Sequence, residues 1–127
     1  MTGYHQQRSE FTQNQPLLWG LLHGLNDLTA GFMLANYTLT HAYAESFMLL
    51  VIYSIIGFGG QLPVGFWVDH KKQVKPFALI SLTTLILAII VYFINGHAAI
   101  ILAGIASAFV HVTGGAVCLQ VNNNKSA

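Results

Sequence analysis

The sequence predicts an all-α integral membrane protein with four transmembrane helices, and three observations carry that prediction. First, four long apolar runs cover most of the chain: residues 17–39, 46–68, 76–94 and 98–121, each 19 to 24 residues long. At 1.5 Å per residue, each run is long enough for the ~30 Å hydrocarbon core of a bilayer. Second, apolar residues make up 54% of the chain and charged residues only 7%. Soluble domains carry roughly 25% charged residues, so this chain cannot supply a water-facing surface of the usual kind. Third, all five cationic residues (Arg8, Lys71, Lys72, Lys75 and Lys125) lie outside the runs, on what four crossings make a single side. By the positive-inside rule that side is cytoplasmic, which puts both termini in the cytoplasm of a multi-pass protein of the plasma (inner) membrane.

The elements follow in order. Residues 1–15 are polar, lack apolar periodicity and read as a short cytoplasmic tail, with residues 16–127 as the transmembrane region. The first run resembles a secretory signal peptide in having Arg8 before it and Ala42-Tyr43-Ala44 after it. It is too long and too polar for one, being interrupted by His23, Asn26 and Asp27. Short turns at 40–45 and 95–97 face outward, and one at 69–75 faces inward, with Pro76 suited to the first turn of the third helix. Connections this short make the helices antiparallel neighbours. The second run ends in Gly57-Phe58-Gly59-Gly60-Gln61-Leu62-Pro63-Val64-Gly65, where small residues permit close packing and Pro63 permits a kink or a hinge. The third run is the plainest and reads as lipid-facing scaffold.

The first run holds the chemistry. His23 and Asp27, four residues apart, share a helix face, with Asn26 beside them. An Asp at the centre of a membrane helix costs about 2.5 to 3.5 kcal/mol, which roughly cancels the contribution of the eight leucines of this run. Intramembrane carboxylates face a bundle interior or an aqueous cavity and mark proton or substrate paths; the alternative is a polar clamp between helices. In the fourth run Gly104, Ala108, His111, Gly115 and Cys118 form a small-residue stripe with His111 as its one bulky polar member. Asp27 and His111 each lie ten residues from the cytoplasmic end of their runs, about 15 Å deep, so the first and fourth helices are expected to pair there.

Other chemistry is sparse. His5, His41, His70 and His97 fall in tails or turns and read as solvated. The single Cys118 excludes an internal disulfide and reads as a packing residue. No ligand spacing marks a metal site, since His23 and Asp27 are the one convergent pair on a single helix, and no cofactor is expected. There is no phosphate loop and no nucleophile, base and orienting acid in array, so an enzyme is not expected. The basic residues are loop flanks, which gives no nucleic-acid signal.

Between the second and third helices, Gly65-Phe66-Trp67-Val68-Asp69-His70-Lys71-Lys72-Gln73-Val74-Lys75 resembles the cytoplasmic signature of the major facilitator superfamily, G-x-L-A-D-R-x-G-R-[RK]. His23-Gly24-Leu25-Asn26-Asp27 and Phe109-Val110-His111-Val112-Thr113-Gly114-Gly115 resemble the H-x-x-N-D and F-x-H patterns of its fosmidomycin-resistance-type exporter branch. The resemblance spans the chain from Leu17 to about Lys125, with His70 where the signature has Arg. It implies an N-terminal fragment, helices one to four, from a six-helix half of a twelve-helix transporter. It further implies a conformational latch at Gly65, Asp69, His70, Lys72 and Lys75, helix packing or hinge points at Gly60, Pro63, Gly114 and Gly115, and a central cavity lined by helices one and four.

The function implied is a proton-coupled secondary transporter, an exporter of small molecules, with Asp27 carrying the proton and His23, Asn26 and His111 as relay or substrate partners. Its partners would be the lipid bilayer, a small-molecule substrate, protons, and either the missing C-terminal helices or an oligomer partner. Two alternatives stay open. One is a four-helix multidrug-type pump acting as an oligomer around its acidic residue. The other is a non-transport assembly protein whose Gly20-x-x-x-Gly24 and small-residue stripes serve helix association alone.

Overall fold

The computed structural model describes residues 14–71 and 73–125, and every element among them is helical. The readings made above for residues 1–13 and for Lys72 lie outside the described residues. Four rods run antiparallel: α1 (Gln15–Thr40); a second rod made of α2 (Tyr43–Ser54), a π-helical turn (Ile55–Gly59) and α3 (Gln61–Lys71); α4 (Lys75–Tyr92); and α5 (Gly96–Lys125). Prolines stand in the first turns of α1 and α4, where the missing N–H would have had no intrahelical partner in any case.

Three stretches are long and apolar enough to cross a membrane: Tyr43–Lys71, Lys75–Tyr92 and Gly96–Leu119. The first rod, at 26 residues, is longer than α4. Its apolar character is diluted by His23, Asn26 and Asp27, the residues the sequence singles out as chemical.

Hydroxyl groups in the rods satisfy themselves on their own backbone. Thr29 donates to the Leu25 carbonyl, Thr38 to Leu34, Ser54 to Leu50 and Thr84 to Ile80, all at 2.7 to 2.8 Å. Such internal bonds let a Ser or Thr sit in apolar surroundings without an orphan donor.

The last helix is the centre of the bundle. Over half of its apolar stretch is buried, 56%, against 22% for α4 and 17% for the second rod. One packed cluster, toward the 69–75 turn, joins Val64, Val68, Val74 and Phe77 to Ala108, Phe109 and Val117 of α5. A second, at the opposite end, joins Ala30, Met33 and Tyr37 of α1 to Leu49, Ala88, Ile100 and Ala103. The third run is scaffold on one side only: Phe77, Ser81, Leu85 and Ala88 form a buried stripe, and the Ser81 hydroxyl donates to the Ala106 carbonyl at 3.3 Å.

Contact between the second rod and α5 depends on glycine. A Cβ on Gly104 would stand 3.3 Å from Ile56 side-chain atoms and from the Tyr53 carbonyl oxygen. A Cβ on Gly60 would run into the Ile56 carbonyl oxygen and meet the Ala108 Cβ at 3.1 Å. Gly65 has open space instead. A π turn lies just upstream of Pro63. Pro63 cannot donate to the residue four before it, Gly59, and the ladder widens over Ile55–Gly59 before restarting at Gln61.

Candidate functional site

The middle of α1 meets the middle of α5 through imidazoles. The rings of His23 and His111 approach edge to face, with centroids 4.3 Å apart and planes at 77°. One turn along α1, Asp27 brings Oδ2 to 3.4 Å from His23 Nδ1. One donor atom from each of His23, Asp27 and His111 can be chosen so that all three lie within 4.8 Å of one another. Helical periodicity supplies the first pair; packing of α1 on α5 supplies the third member.

The surroundings orient each group. Asn26, wholly buried, donates through Nδ2 to Asp27 Oδ1 at 3.2 Å, which leaves Oδ2 toward His23. His111 Nδ1 lies 2.8 Å from the Ser107 carbonyl oxygen, one turn earlier on α5. A carbonyl only accepts, so Nδ1 carries the proton and the Nε2 lone pair is left available. On the second rod, Phe58 stands 6.2 Å from the His111 ring, centroid to centroid. Two atoms are shielded yet make no hydrogen bond: His23 Nδ1 and Asn26 Oδ1. Meanwhile the side chains of His23 and Asp27 are 44% and 51% exposed. The cluster is therefore partly wrapped by helix and open on one side, and its hydrogen bonding is incomplete.

The surface next to it is smooth. A Cβ on Gly20, Gly24, Gly31 or Gly115 would meet nothing within 4 Å, so neither Gly20-x-x-x-Gly24 nor the Gly115 end of the α5 stripe is a contact among the described residues. Gly114 makes room for the Trp19 ring, at 3.7 Å from an added Cβ. Cys118 is exposed.

Asp69 and His70 are exposed near the end of α3, with the Phe66 and His70 rings stacked at 6.4 Å, and Lys75 opens α4.

A second polar cluster escaped the sequence reading. His41 and His97, read as solvated turn residues, flank Tyr37 at the end of the bundle holding the 41–42 and 93–95 connections. The Tyr37 hydroxyl donates to Glu45 Oε1 at 2.7 Å and lies 3.0 Å from His97 Nε2, which is itself 2.9 Å from Glu45 Oε1. The His41 ring stacks on Tyr37 at 3.7 Å, nearly parallel. Close by, Asn36 donates to the Tyr92 hydroxyl, which donates in turn to the Met33 carbonyl. The Glu45 carboxyl is held below its ordinary value of 4.5, chiefly by the hydrogen bond from Tyr37; desolvation opposes the shift, and His97 and the nearby His41 add to it. The available signal was the i, i+4 pair Tyr37 and His41, an aromatic and an imidazole on one helical face ending at a turn that also holds an acid.

No family model, curated protein or solved structure matches this chain.

Proposed function

We propose that this chain is a membrane transporter segment of the major facilitator type, corresponding to helices one to four of a proton-coupled secondary transporter that exports small molecules. The observation that carries this reading is the convergence of Asp27, His23 and His111 from the first and last rods into a half-open cluster. Apolar rods that present a carboxylate and two imidazoles on an open side need something polar over that side. In a bilayer a carboxylate facing lipid is costly, so the open side belongs on a water-filled cavity or against further helices. A carboxylate one turn from an imidazole can hold a proton and pass it on, and the open side gives water and substrate access to both.

The three strongly apolar stretches support residence in a membrane. The orientation with both termini in the cytoplasm rests on the basic residues of the sequence. In this scheme the glycine contacts between α5 and the π turn let the second rod move against the cavity helix without separating from it.

The test is proton movement driven by substrate in everted membrane vesicles containing the protein with whatever sequence naturally follows it. Asp27→Asn is expected to abolish coupled proton movement while inserting normally. Undiminished coupling in that variant would sink the proposal.

The open glycine face of α1 favours one further reading, an oligomeric four-helix pump. Gly20→Cys would then cross-link between two copies of the 127-residue chain, and its failure to do so at any protein-to-lipid ratio removes that reading.

A further inference from the structure

We propose that His23, Asp27 and His111 form an open three-ligand site for a divalent transition-metal ion, with Zn²⁺ the best-matched ion. As an identification of what is carried, a metal cation rather than an organic molecule, the inference rests on the transport reading above; as a binding site it stands on geometry alone.

The donor set is the first argument. Two imidazoles and one carboxylate are borderline ligands that favour zinc and its neighbours over Mg²⁺ or Ca²⁺, which take oxygen. Distance is the second. Donors about 2.0 to 2.1 Å from a tetrahedral ion stand about 3.3 Å apart. The contact between His23 Nδ1 and Asp27 Oδ2 is already 3.4 Å, and no pair in the three-donor set need exceed 4.8 Å. Half-exposed side chains can close the remaining gap by small rotations.

The outer hydrogen bonds are the third argument. Metal-bound histidines commonly donate their other ring N–H to a carbonyl or carboxylate, which sets the tautomer and aims the lone pair. His111 does so to the Ser107 carbonyl at 2.8 Å. Asn26 does the equivalent for the carboxylate by holding Oδ1 and leaving Oδ2. His23 Nδ1 is shielded and makes no hydrogen bond, its nearest polar neighbour being Asp27 Oδ2 at 3.4 Å. A metal ion held between these two atoms would give Nδ1 the bond it lacks. The open side leaves a fourth position for water, as in sites that exchange ligands rather than sites that only brace a fold.

The sequence could not display this site because its spacing offers two ligands on α1, and the third arrives only when α5 packs against them. The other histidine cluster, at Tyr37, His41, Glu45 and His97, provides the internal control. It is closed by its own hydrogen bonds and contains a single carboxylate already accepting from Tyr37.

The experiment is a titration of the full chain, reconstituted in lipid nanodiscs, with Co²⁺ as a coloured stand-in, followed by displacement with Zn²⁺. One ion per chain is expected, with the intense visible bands of a four-coordinate site. His23→Ala, Asp27→Asn and His111→Ala should each weaken binding by more than about 100-fold, since loss of an outer partner alone costs 10- to 100-fold. His41→Ala and His97→Ala should leave it unchanged. Circular dichroism of each variant establishes that the helices persist, and Asp27→Asn keeps the carboxylate's shape should an alanine variant fail to fold. Absence of the bands, or equal loss in the His41 and His97 variants, overturns the site. Vesicle measurements separate the two readings. Zinc-driven proton movement that depends on Asp27 supports both, and zinc binding without any flux removes the assignment of metal as cargo. Proton coupling with no metal bound removes the site and leaves the transporter.

Discussion

The two histidine-containing clusters in this bundle are built from similar residues and differ in how completely they are satisfied. At one end, Tyr37, Glu45 and His97 share hydrogen bonds of 2.7 to 3.0 Å across three helices, under a stacked His41. In the middle, His23, Asp27 and His111 touch ring to ring and at ion-pair distance, yet His23 Nδ1 and Asn26 Oδ1 make no hydrogen bond among the described residues. A satisfied network ties helices together; a partly satisfied one carries a cost that folding alone gives no reason to keep. Under the proposed function, the end cluster braces the bundle and the middle one does the chemistry.

Substitutions can break that contrast, and the largest effect is expected at Asp27. Asp27→Leu should favour membrane insertion by about 3 kcal/mol, the sum of removing an Asp and adding a Leu near mid-depth, while eliminating function. Insertion assays with glycosylation tags read the first effect. A variant that inserts no better, or that loses its helical fold, would move the middle cluster into the bracing class.

Next comes Gly104→Leu. Its side chain would push on Ile56 and the Tyr53 carbonyl, forcing α5 away from the second rod at a cost of about 1 to 3 kcal/mol. Gly104 lies two turns from both His97 and His111 on α5, but the end cluster is tied by hydrogen bonds of 2.7 to 3.0 Å, so the same change should weaken metal binding at the middle cluster more than it disturbs the end cluster. Histidine NMR shifts in nanodiscs distinguish the two.

Tyr37→Phe removes the shared hydroxyl and keeps the ring under His41. A smaller loss of thermal stability is expected, with function in the middle retained. A loss of function larger than the loss of stability would instead couple the two clusters.

The smallest effect is a pH dependence. Glu45 has its carboxyl held below the ordinary value, so its contribution is fully present above about pH 4.5 and is lost as pH falls through the lowered folded value. Melting temperature should therefore fall in acid below that point, and Glu45→Gln should flatten that part of the profile. An unchanged acid slope in Glu45→Gln would take the end cluster out of the account.

Legibility in the sequence followed locality. Helical rods could be read from run length, and Pro76 could be read as a first-turn residue, because both signals lie within a few residues. His23, Asn26 and Asp27 could be read as a polar face for the same reason. The approach of His111 needed a depth count on two runs, which works only when helices are straight and antiparallel. By contrast, the Tyr37, Glu45 and His97 network joins residues on three helices, and each member alone looks like an ordinary turn or helix-end residue. The Ser107 carbonyl that orients His111 is backbone, which composition never reveals. Nor did the plain third run announce its buried stripe of Phe77, Ser81, Leu85 and Ala88, since an apolar residue facing lipid and one facing a helix are chemically alike.

The wide turn at Ile55–Gly59 also governs phase. In an unbroken α-helix each residue advances about 100°, so Leu49 and Val68, nineteen positions apart, would point about 100° away from each other. A π turn absorbs one extra residue, which returns them to the same bearing, and both are in fact buried, at 3% exposure each. The second rod is thus tuned by length as much as by side chains. Losing a single residue from this turn would straighten the helix and swing Val64 and Val68 off α5, so the segment should accept many exchanges of one amino acid for another and almost no deletions.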